Sequence, residues 1–288
     1  MLSELIQIGL KSGFLRKSSS NFSYGPLASN LLFNFRREWI ESFIRHSLGR
    51  YNFLWVDSID QIKPSTNLTI AWQDNQPKNS SNLPLILAKD KQVDDEYFHV
   101  RYLKPLKEIN LNSLSNERTR FWKKYISQRE KLQCISTKSN QFSIQYQFSK
   151  DFEPYQLETI ESNSNDSSID LNLNVNQTLT SLLIDSQMKF IHPLLAIYQI
   201  AIESSEKSTE LCLYLSKSLT YQYHLRVLRL IDEQSCEHIP FHLILKDESI
   251  KNGVCFVRNR DTNLQEEIHV TQLAKNLSSY FKSLDDAI

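Results

Sequence analysis

Histidine, cysteine and arginine side chains are the groups in this sequence that could do chemistry, and their spacing excludes several kinds of site. His238 and His242 lie four residues apart, but they flank the start of a predicted strand, so they do not form the helical pair that binds zinc. The four cysteines, which show no CxxC or similar metal spacing, are Cys134, Cys212, Cys236 and Cys255. We expect reduced, mostly buried thiols in an intracellular compartment. No Ser/His/Asp or Cys/His arrangement indicates nucleophilic catalysis.

Glycine-rich loops, which hold phosphates in nucleotide-binding enzymes, are also missing from the sequence. The 288 residues include only five glycines, with no GxGxxG and no Walker sequence. The formal net charge is zero, so no global field attracts nucleic acid or an anionic membrane. No apolar run approaches the roughly 20 residues of a membrane span. The sequence therefore predicts no metal, no cofactor and no membrane attachment.

A basic run in the middle of the chain is a candidate nucleic-acid contact. Residues 115–134 predict a helix that buries Phe121, Trp122 and Tyr125 on one side. Its other surface is the most basic in the chain and carries Arg118, Arg120, Lys123, Lys124, Arg129 and Lys131. The two interpretations are a solvated charged face and a weak, sequence-independent contact with duplex DNA.

A strand near the C-terminus carries an aromatic residue and two arginines. Residues 239–245 predict a first strand, followed by a turn at Asn-Gly, because both residue types tolerate positive φ. Alternation along the second strand places Phe256, Arg258 and Arg260 on one face. Such residues are over-represented among interface anchors, so the three are candidate contacts to a partner protein. The alternative is internal pairing of the arginines with Asp261, Glu266 or Glu267.

The rest of residues 1–190 predicts strands flanked by helices. A long helix begins at Pro26, which suits the first helical position. Its apolar residues recur at i+4 spacing and are Leu27, Leu31, Phe35, Trp39 and Phe43. Residues 97–103 predict a strand, and residues 181–190 predict a helix that follows another strand.

The remaining residues, 191–288, predict a sheet with helices and begin at the boundary marked by His192-Pro193. Residues 194–202 predict a core strand, and residues 205–218 a helix. A last helix begins with Thr271 as its cap and presents Leu273, Leu277, Phe281 and Leu284 at helical spacing. The chain is therefore expected to fold as two domains of mixed α/β class.

Two stretches resemble parts of class II aminoacyl-tRNA synthetases. The run IPFHLILKDESIKNGVCFVRNRD resembles the C-terminal anticodon-binding domain of class IIa enzymes. The YGPL turn and the long helix with REW resemble the first motif of glycyl-type enzymes. The resemblance implies a class II synthetase-like antiparallel sheet with flanking helices over residues 1–190. An anticodon-binding-like mixed sheet with helices is implied over residues 191–288.

The motifs that hold ATP in those synthetases are degraded in this chain. Arg101 lies near the position of the arginine that binds the α-phosphate of ATP, but the Arg-x-Glu motif around that arginine is absent. The alternative to an ATP ligand is that Arg101 is an exposed strand residue. Residues 169–190 contain neither the glycines nor the arginine that hold adenine. We therefore expect no enzymatic activity and no catalytic residue.

A synthetase-like scaffold without these motifs resembles the accessory subunit of mitochondrial DNA polymerase gamma. The sequence segments that carry this resemblance include YGPLASNL, NERTRFWKKYISQREKL, HPLLAIYQIAI and KNGVCFVRNRDTNLQEEIHVTQL. This resemblance implies a non-catalytic processivity subunit in the nucleoid of the mitochondrial matrix. Such a subunit would bind the polymerase's catalytic chain and raise the affinity of that chain for primer-template in mitochondrial DNA replication. Phe256, Arg258 and Arg260 then become candidate polymerase contacts, and the basic helix a weak DNA contact.

Two departures from that family lead us to expect a monomer. Vertebrate members carry a helical insertion that builds a homodimer, whereas the connection between Ile59 and Tyr97 is too short and loop-like for one. The segment between Leu230 and Ile239 is also shortened. Two other functions stay open: a class II synthetase-like protein, and a free-standing tRNA- or DNA-binding module. Zero net charge weighs against the module, since such binding draws on phosphate neutralisation.

Overall fold

The structure is a computed structural model, and the residues it describes are 2–17, 22–47, 52–55, 85–90, 97–103, 110–163, 168–230 and 237–286. Within these ranges the chain is a mixed α/β protein with seven α-helices and fourteen strands. It forms two compact units. The central unit comprises Arg36–Leu182, and the terminal unit comprises Met1–Phe35 with Leu183–Ile288. The assignment of residues 1–190 and 191–288 to two domains stays a prediction.

The central unit is built on a seven-stranded sheet in the order β3-β4-β5-β9-β8-β7-β6. Only β3 and β4 pair in parallel; the other neighbours are antiparallel. The strands are β3 (Asn52–Trp55), β4 (Leu85–Asp90), β5 (Tyr97–Leu103), β6 (Leu132–Lys138), β7 (Gln141–Tyr146), β8 (Tyr155–Asn163) and β9 (Ser168–Asn174). The helices with residues in this unit are α2 (Pro26–Ser47), α3 (Leu111–Tyr125) and α4 (Val175–Asp185).

The terminal unit contains a five-stranded mixed sheet in the order β11-β10-β12-β13-β14 and a small β1-β2 hairpin. Strand β10 pairs in parallel with β11 and β12, whereas β12-β13 and β13-β14 are antiparallel. The strands are β1 (Leu15–Lys17), β2 (Phe22–Tyr24), β10 (Ile200–Ser204), β11 (Val227–Arg229), β12 (Phe241–Leu245), β13 (Val254–Asn259) and β14 (Gln265–His269). The further helices are α1 (Leu2–Ser12), α5 (Thr209–Tyr221), α6 (Asp247–Asn252) and α7 (Val270–Asp286).

Strongly periodic elements lie where the sequence predicted them. Helix α2 buries Leu31, Phe35, Trp39 and Phe43, and strand β5 has the predicted bounds. In the last helix, α7, Leu273, Leu277 and Phe281 are buried. Phe281 and Tyr280 also pack edge-to-face against the ring of Phe241 on β12, which holds α7 on that face of the sheet.

Several predicted element boundaries were wrong. The helix predicted over residues 205–218 is α5 (Thr209–Tyr221), and Thr271 is the second residue of α7 rather than its cap. The helix over residues 115–134 ends at Tyr125, and Leu132 instead begins a strand that pairs with β7. The helix predicted from residue 181 begins at Val175, because the Asn174 side chain accepts a hydrogen bond from the Gln177 amide at 2.9 Å and caps it. The core strand predicted over residues 194–202 is confined to Ile200–Ser204.

The predicted Asn-Gly turn is instead a one-turn helix, α6. Asn252 is its last residue, and only Gly253 has a positive φ, of 68°. A left-handed glycine directly after a helix is the usual way to end it, because glycine carries no Cβ penalty there. A Cβ at Gly253 would also lie 2.6 Å from Nε2 of His269, so that side chain would have to move to admit a larger residue.

A buried ion pair lies in the core of the central unit. The guanidinium of Arg118 on α3 and the carboxylate of Glu158 on β8 are both 0% exposed, and Nε lies 2.9 Å from Oε1. Nη1 of Arg118 also donates to the Ser42 hydroxyl at 2.7 Å. The indole N–H groups of Trp122 and Trp39 donate to Glu158 at 2.7 and 3.3 Å. Four donor groups on α2 and α3 side chains are thus satisfied, three of them by the Glu158 carboxylate on β8 and one by Ser42.

Aromatic rings complete the surroundings of Arg118. Its guanidinium carbon lies 4.2 Å from the ring centroid of Phe43 and 4.4 Å from that of Phe121. Desolvated cation–π contacts of this kind offset part of the cost of burying the charge.

Removing the Arg118 cation should strongly lower the stability of the central unit. We expect Arg118→Met to lower the free energy of unfolding by about 3–5 kcal/mol, because Glu158 would stay buried without its counter-charge. Arg120→Met is the matched control, since Arg120 lies exposed on the same helix, and should cost less than about 0.5 kcal/mol. Chemical denaturation followed by circular dichroism measures both, and equal effects would contradict the prediction.

Candidate interaction sites

The predicted basic surface loses one member and keeps five. Arg118 was expected on the exposed face, and this is wrong: it is fully buried and cannot reach a phosphate. Three of the other five residues are exposed, namely Arg120, Lys123 and Arg129. The remaining two, Lys124 and Lys131, are half-buried. Whether they contact DNA stays a prediction.

These five residues belong to two elements rather than one helix. Arg129 and Lys131 lie in a short 3₁₀ turn, Arg129–Lys131, which follows the end of α3. Two lysines rest against rings, Lys124 with Nζ 5.5 Å from the Tyr125 centroid and Lys131 with Nζ 5.7 Å from that of Phe148. Long stems that lie along aromatic surface keep their ammonium groups at the surface.

Strand β13 presents Phe256 and Arg258 on one face, as the alternation predicted. Cys255 and Val257 point to the opposite face and are buried. Phe256 is half-buried, and the ammonium of Lys246 lies 4.4 Å from its ring centroid. Arg258 is exposed and donates through Nε to the Asn263 side chain at 2.9 Å, across the hairpin that joins β13 and β14. An aromatic ring and a guanidinium thus share one surface.

Arg260 does not join them, because it follows the end of β13 and alternation no longer directs its side chain. Its guanidinium is 8% exposed and pairs with Asp261, as the alternative hypothesis proposed. It also donates to the backbone carbonyls of Lys189 at 3.1 Å, Ile191 at 3.0 Å and His238 at 3.0 Å. Arg260 therefore fastens two loop segments of the terminal unit to β13. Backbone acceptors leave no trace in a sequence, so these contacts could not be predicted.

Asp170 collects donors from neighbouring strands on the polar face of the seven-stranded sheet. Arg101 donates to its two carboxylate oxygens at 2.6 and 3.0 Å, and Nε2 of His99 lies 2.9 Å from Oδ1. The Asn163 amide donates to Oδ2 at 2.5 Å. Burial alone would raise the pKa of Asp170, but the hydrogen bonds from His99 and Arg101 and their positive charge outweigh it and lower this pKa to about 2.

The interactions of Arg101 bear on its two predicted roles. Its side chain is 16% exposed, so the interpretation as an exposed strand residue was wrong. Two of its donor groups already bind Asp170 in the bidentate geometry that arginine makes with carboxylates. A phosphate at this place would have to displace that carboxylate.

Several other expectations concern thiols, metals and membranes. Among the described residues, Cys212 and Cys255 are buried, Cys134 is exposed, and all three are unpaired. Burial raises the pKa of the Cys255 thiol to about 11.

No three His, Cys, Asp or Glu side chains in the described part of the chain cluster as metal ligands would. The described helices include none that is long and apolar enough to span a membrane. Cys236 and most of the connection from Ile59 to Tyr97 lie outside the described residues.

Comparison with known proteins gives one informative similarity. No protein-family model matches the chain. The chain is similar to "DNA polymerase subunit gamma-2, mitochondrial" of Drosophila melanogaster, with 30% identity over 34% of this chain and 33% of that protein. The chain thus covers about a third of the length of this relative. The similarity supports a relation over that part.

The Asp170 cluster should make stability depend on pH in the acid range. The pKa of Asp170 is lower in the folded protein than in the unfolded chain, so its stabilisation is complete above about pH 4 and is lost as the pH falls towards 2. We expect Asp170→Asn to lower the free energy of unfolding by about 2 kcal/mol at pH 7, and the difference from wild type to shrink below pH 4. Urea titrations at several pH values measure this. A difference that does not change with pH would contradict it.

The two C-terminal arginines should respond differently to the same substitution. Arg260→Met is expected to lower the free energy of unfolding by at least about 2 kcal/mol, because three carbonyls and Asp261 lose a charged donor. Arg258→Met should change it by less than about 0.5 kcal/mol, since that side chain is exposed. Paired denaturation curves test this, and equal losses would show that exposure does not separate their roles.

Proposed function

We propose that this chain is a non-catalytic accessory subunit of a mitochondrial DNA polymerase. The observation that carries the proposal is the 30% identity with the Drosophila gamma-2 subunit over about a third of each chain. In this role the chain binds the polymerase's catalytic chain in mitochondria and raises its affinity for primer-template. The finer assignments are a synthetase-like and an anticodon-binding-like fold, a matrix nucleoid location and a monomeric state. These are parts of the same proposal.

The lack of enzymatic activity is supported by the state of Arg101. That arginine is the candidate phosphate ligand of a synthetase-like site, and its guanidinium is bound to Asp170. Amino-acid-dependent ATP–pyrophosphate exchange above background, abolished by Arg101→Ala, would instead favour the synthetase-like alternative. Recovery of tRNA without polymerase would favour a free-standing tRNA-binding module.

The polymerase contact is proposed on the face of β13 that carries Phe256 and Arg258. This surface combines an aromatic ring with an exposed guanidinium, the residue types enriched among interface anchors. Arg260 is not part of it, because its donors are used inside the terminal unit. The helix α7 packs on the opposite face of the sheet, against Phe241, which leaves the Phe256 face to other contacts.

The contact can be tested with the polymerase catalytic chain and a matched pair of variants. Arg258→Glu should weaken association by about 2 kcal/mol, roughly thirtyfold in Kd, without lowering thermal stability. Arg229→Glu is the control, because Arg229 is exposed on β11 at the opposite edge of the same sheet and gives the same charge change. Biolayer interferometry gives the Kd, and primer extension at limiting polymerase gives processivity. Failure of the wild-type chain to bind the polymerase would refute the proposed function.

A direct DNA contact of the basic surface predicts a particular salt dependence. Each lysine or arginine that neutralises a phosphate adds about 0.9 to the slope of log affinity against log salt. Reversing Lys123, Lys124 and Arg129 to glutamate should therefore flatten the slope for duplex DNA by about 2–3 units. Reversal of Lys207, Lys217 and Lys275 makes the same charge change on the terminal unit and serves as the control. An equal change in both triple variants would assign the effect to net charge alone.

A further inference from the structure

The terminal unit contains a cavity of about 540 Å³ that the proposed function does not use. Its walls come from α1, the start of α2, the turn after α4, strand β11 and the residues that precede β12. Pockets of about 300–1,000 Å³ are the usual size for binding small organic molecules. Such pockets combine apolar walls with a few polar groups, and this cavity has both.

The apolar wall includes Leu27, Met188 and Leu228. Met188 packs against α1 so closely that a Cβ on Gly9 would lie 2.8 Å from its Sδ. Leu27 and Leu228 are only half-buried, so the cavity leaves apolar surface in contact with solvent. Met188 and the preceding Gln187 both have positive φ, of 58° and 52°, an uncommon conformation for residues other than glycine. The part of the wall that Met188 supplies therefore lies in a turn of uncommon backbone conformation.

Charged side chains gather at another part of the lining. Lys189 Nζ lies 2.8 Å from the carboxylate of Glu237. The pKa of Glu237 is lowered first by its hydrogen bond and charge interaction with Lys189, and further by the charge of Lys11. Burial and then the Arg260 charge lower the pKa of His238, which leaves its ring neutral at pH 7. Two lysines and one carboxylate give this part of the cavity a net charge of +1.

Arg260 positions this charged part. Its guanidinium binds the backbone carbonyls of both Lys189 and His238, two residues that line the cavity on different segments. The Lys189–Glu237 ion pair joins the same two segments a second time. Lys189 is thus presented on a fixed backbone, as a specific binding site requires.

We propose that this cavity binds a small amphipathic monoanion, a molecule with one carboxylate or similar acidic group and an apolar body. The acid would be neutralised by the excess positive charge of Lys11 and Lys189. The apolar body would cover Leu27, Leu228 and Met188. The combination excludes a bare inorganic anion, which leaves the apolar wall uncovered, and a neutral hydrocarbon, which leaves the positive charge unmatched.

The proposal can be tested on the full chain without polymerase or DNA. The fluorescent probe 8-anilinonaphthalene-1-sulfonate is an aromatic monoanion, and we expect it to bind saturably with one site per chain. Octanoate, which has both an acidic group and an apolar body, should displace the probe. Octanol has only the apolar body and acetate only the acidic group, so neither should displace it at the same concentration. Because no polymerase takes part, a negative result leaves the proposed function untouched.

Two substitutions and two matched controls locate the site. Lys11→Glu should weaken probe binding at least fivefold, and Leu27→Gln at least threefold. Lys217→Glu and Leu213→Gln make the same changes at exposed positions of α5 and should leave the Kd within twofold of wild type. Near-ultraviolet circular dichroism confirms that each variant is folded before titration.

Each outcome decides the question. Saturable binding that both cavity variants weaken and both controls preserve supports the site. Absence of saturable binding, or a Kd that neither cavity variant changes, overturns it. Displacement by octanol as effective as by octanoate overturns the requirement for an anion.

Discussion

The central unit depends on the buried pair of Arg118 and Glu158. Two charges are out of water, and the cost of their desolvation is offset only while every donor and acceptor around them is used. Apolar side chains tolerate small shifts between a helix and a sheet, whereas this cluster is satisfied in a single arrangement. We infer that the pair, with the indole donors of Trp39 and Trp122 and the accepting hydroxyl of Ser42, fixes how α2 and α3 lie on the sheet.

The position of Arg118 shows where prediction from the sequence failed and what signal was present. Its charge placed it with the other basic residues, on a solvated face. Yet the buried residues of α3 include Leu114, Phe121, Trp122 and Tyr125, and Arg118 falls at the i+4 step of that same stripe. Helical spacing therefore predicted burial, while residue type predicted exposure. Spacing is the better guide when a buried carboxylate such as Glu158 lies opposite the helix to receive the cation.

The predictable parts of the fold are those where a local pattern and the tertiary packing agree. Helix α2, strand β5 and helix α7 have long apolar periodicities that the core then buries. The end of α3 depends instead on the pairing of β6 with β7, and the start of α4 depends on the Asn174 cap. The local sequence pattern reveals neither interaction. Among the site residues, alternation located Phe256 and Arg258 correctly, but it could not extend to Arg260, which lies beyond the end of β13. The Asp170 cluster was missed because its members come from three strands.

The clamp made by Arg260 has a consequence for how this protein can change during evolution. The three carbonyls that it binds belong to the backbone, so replacing the side chains of Lys189, Ile191 or His238 leaves every acceptor in place. Arginine itself has no substitute there, because a lysine ammonium lacks the planar fork that reaches several acceptors at once. The contact therefore constrains one position and leaves its partners free to drift. Methods that detect contacts from paired substitutions would find no signal for it, although Arg260 reaches carbonyls 22, 69 and 71 residues away in the chain.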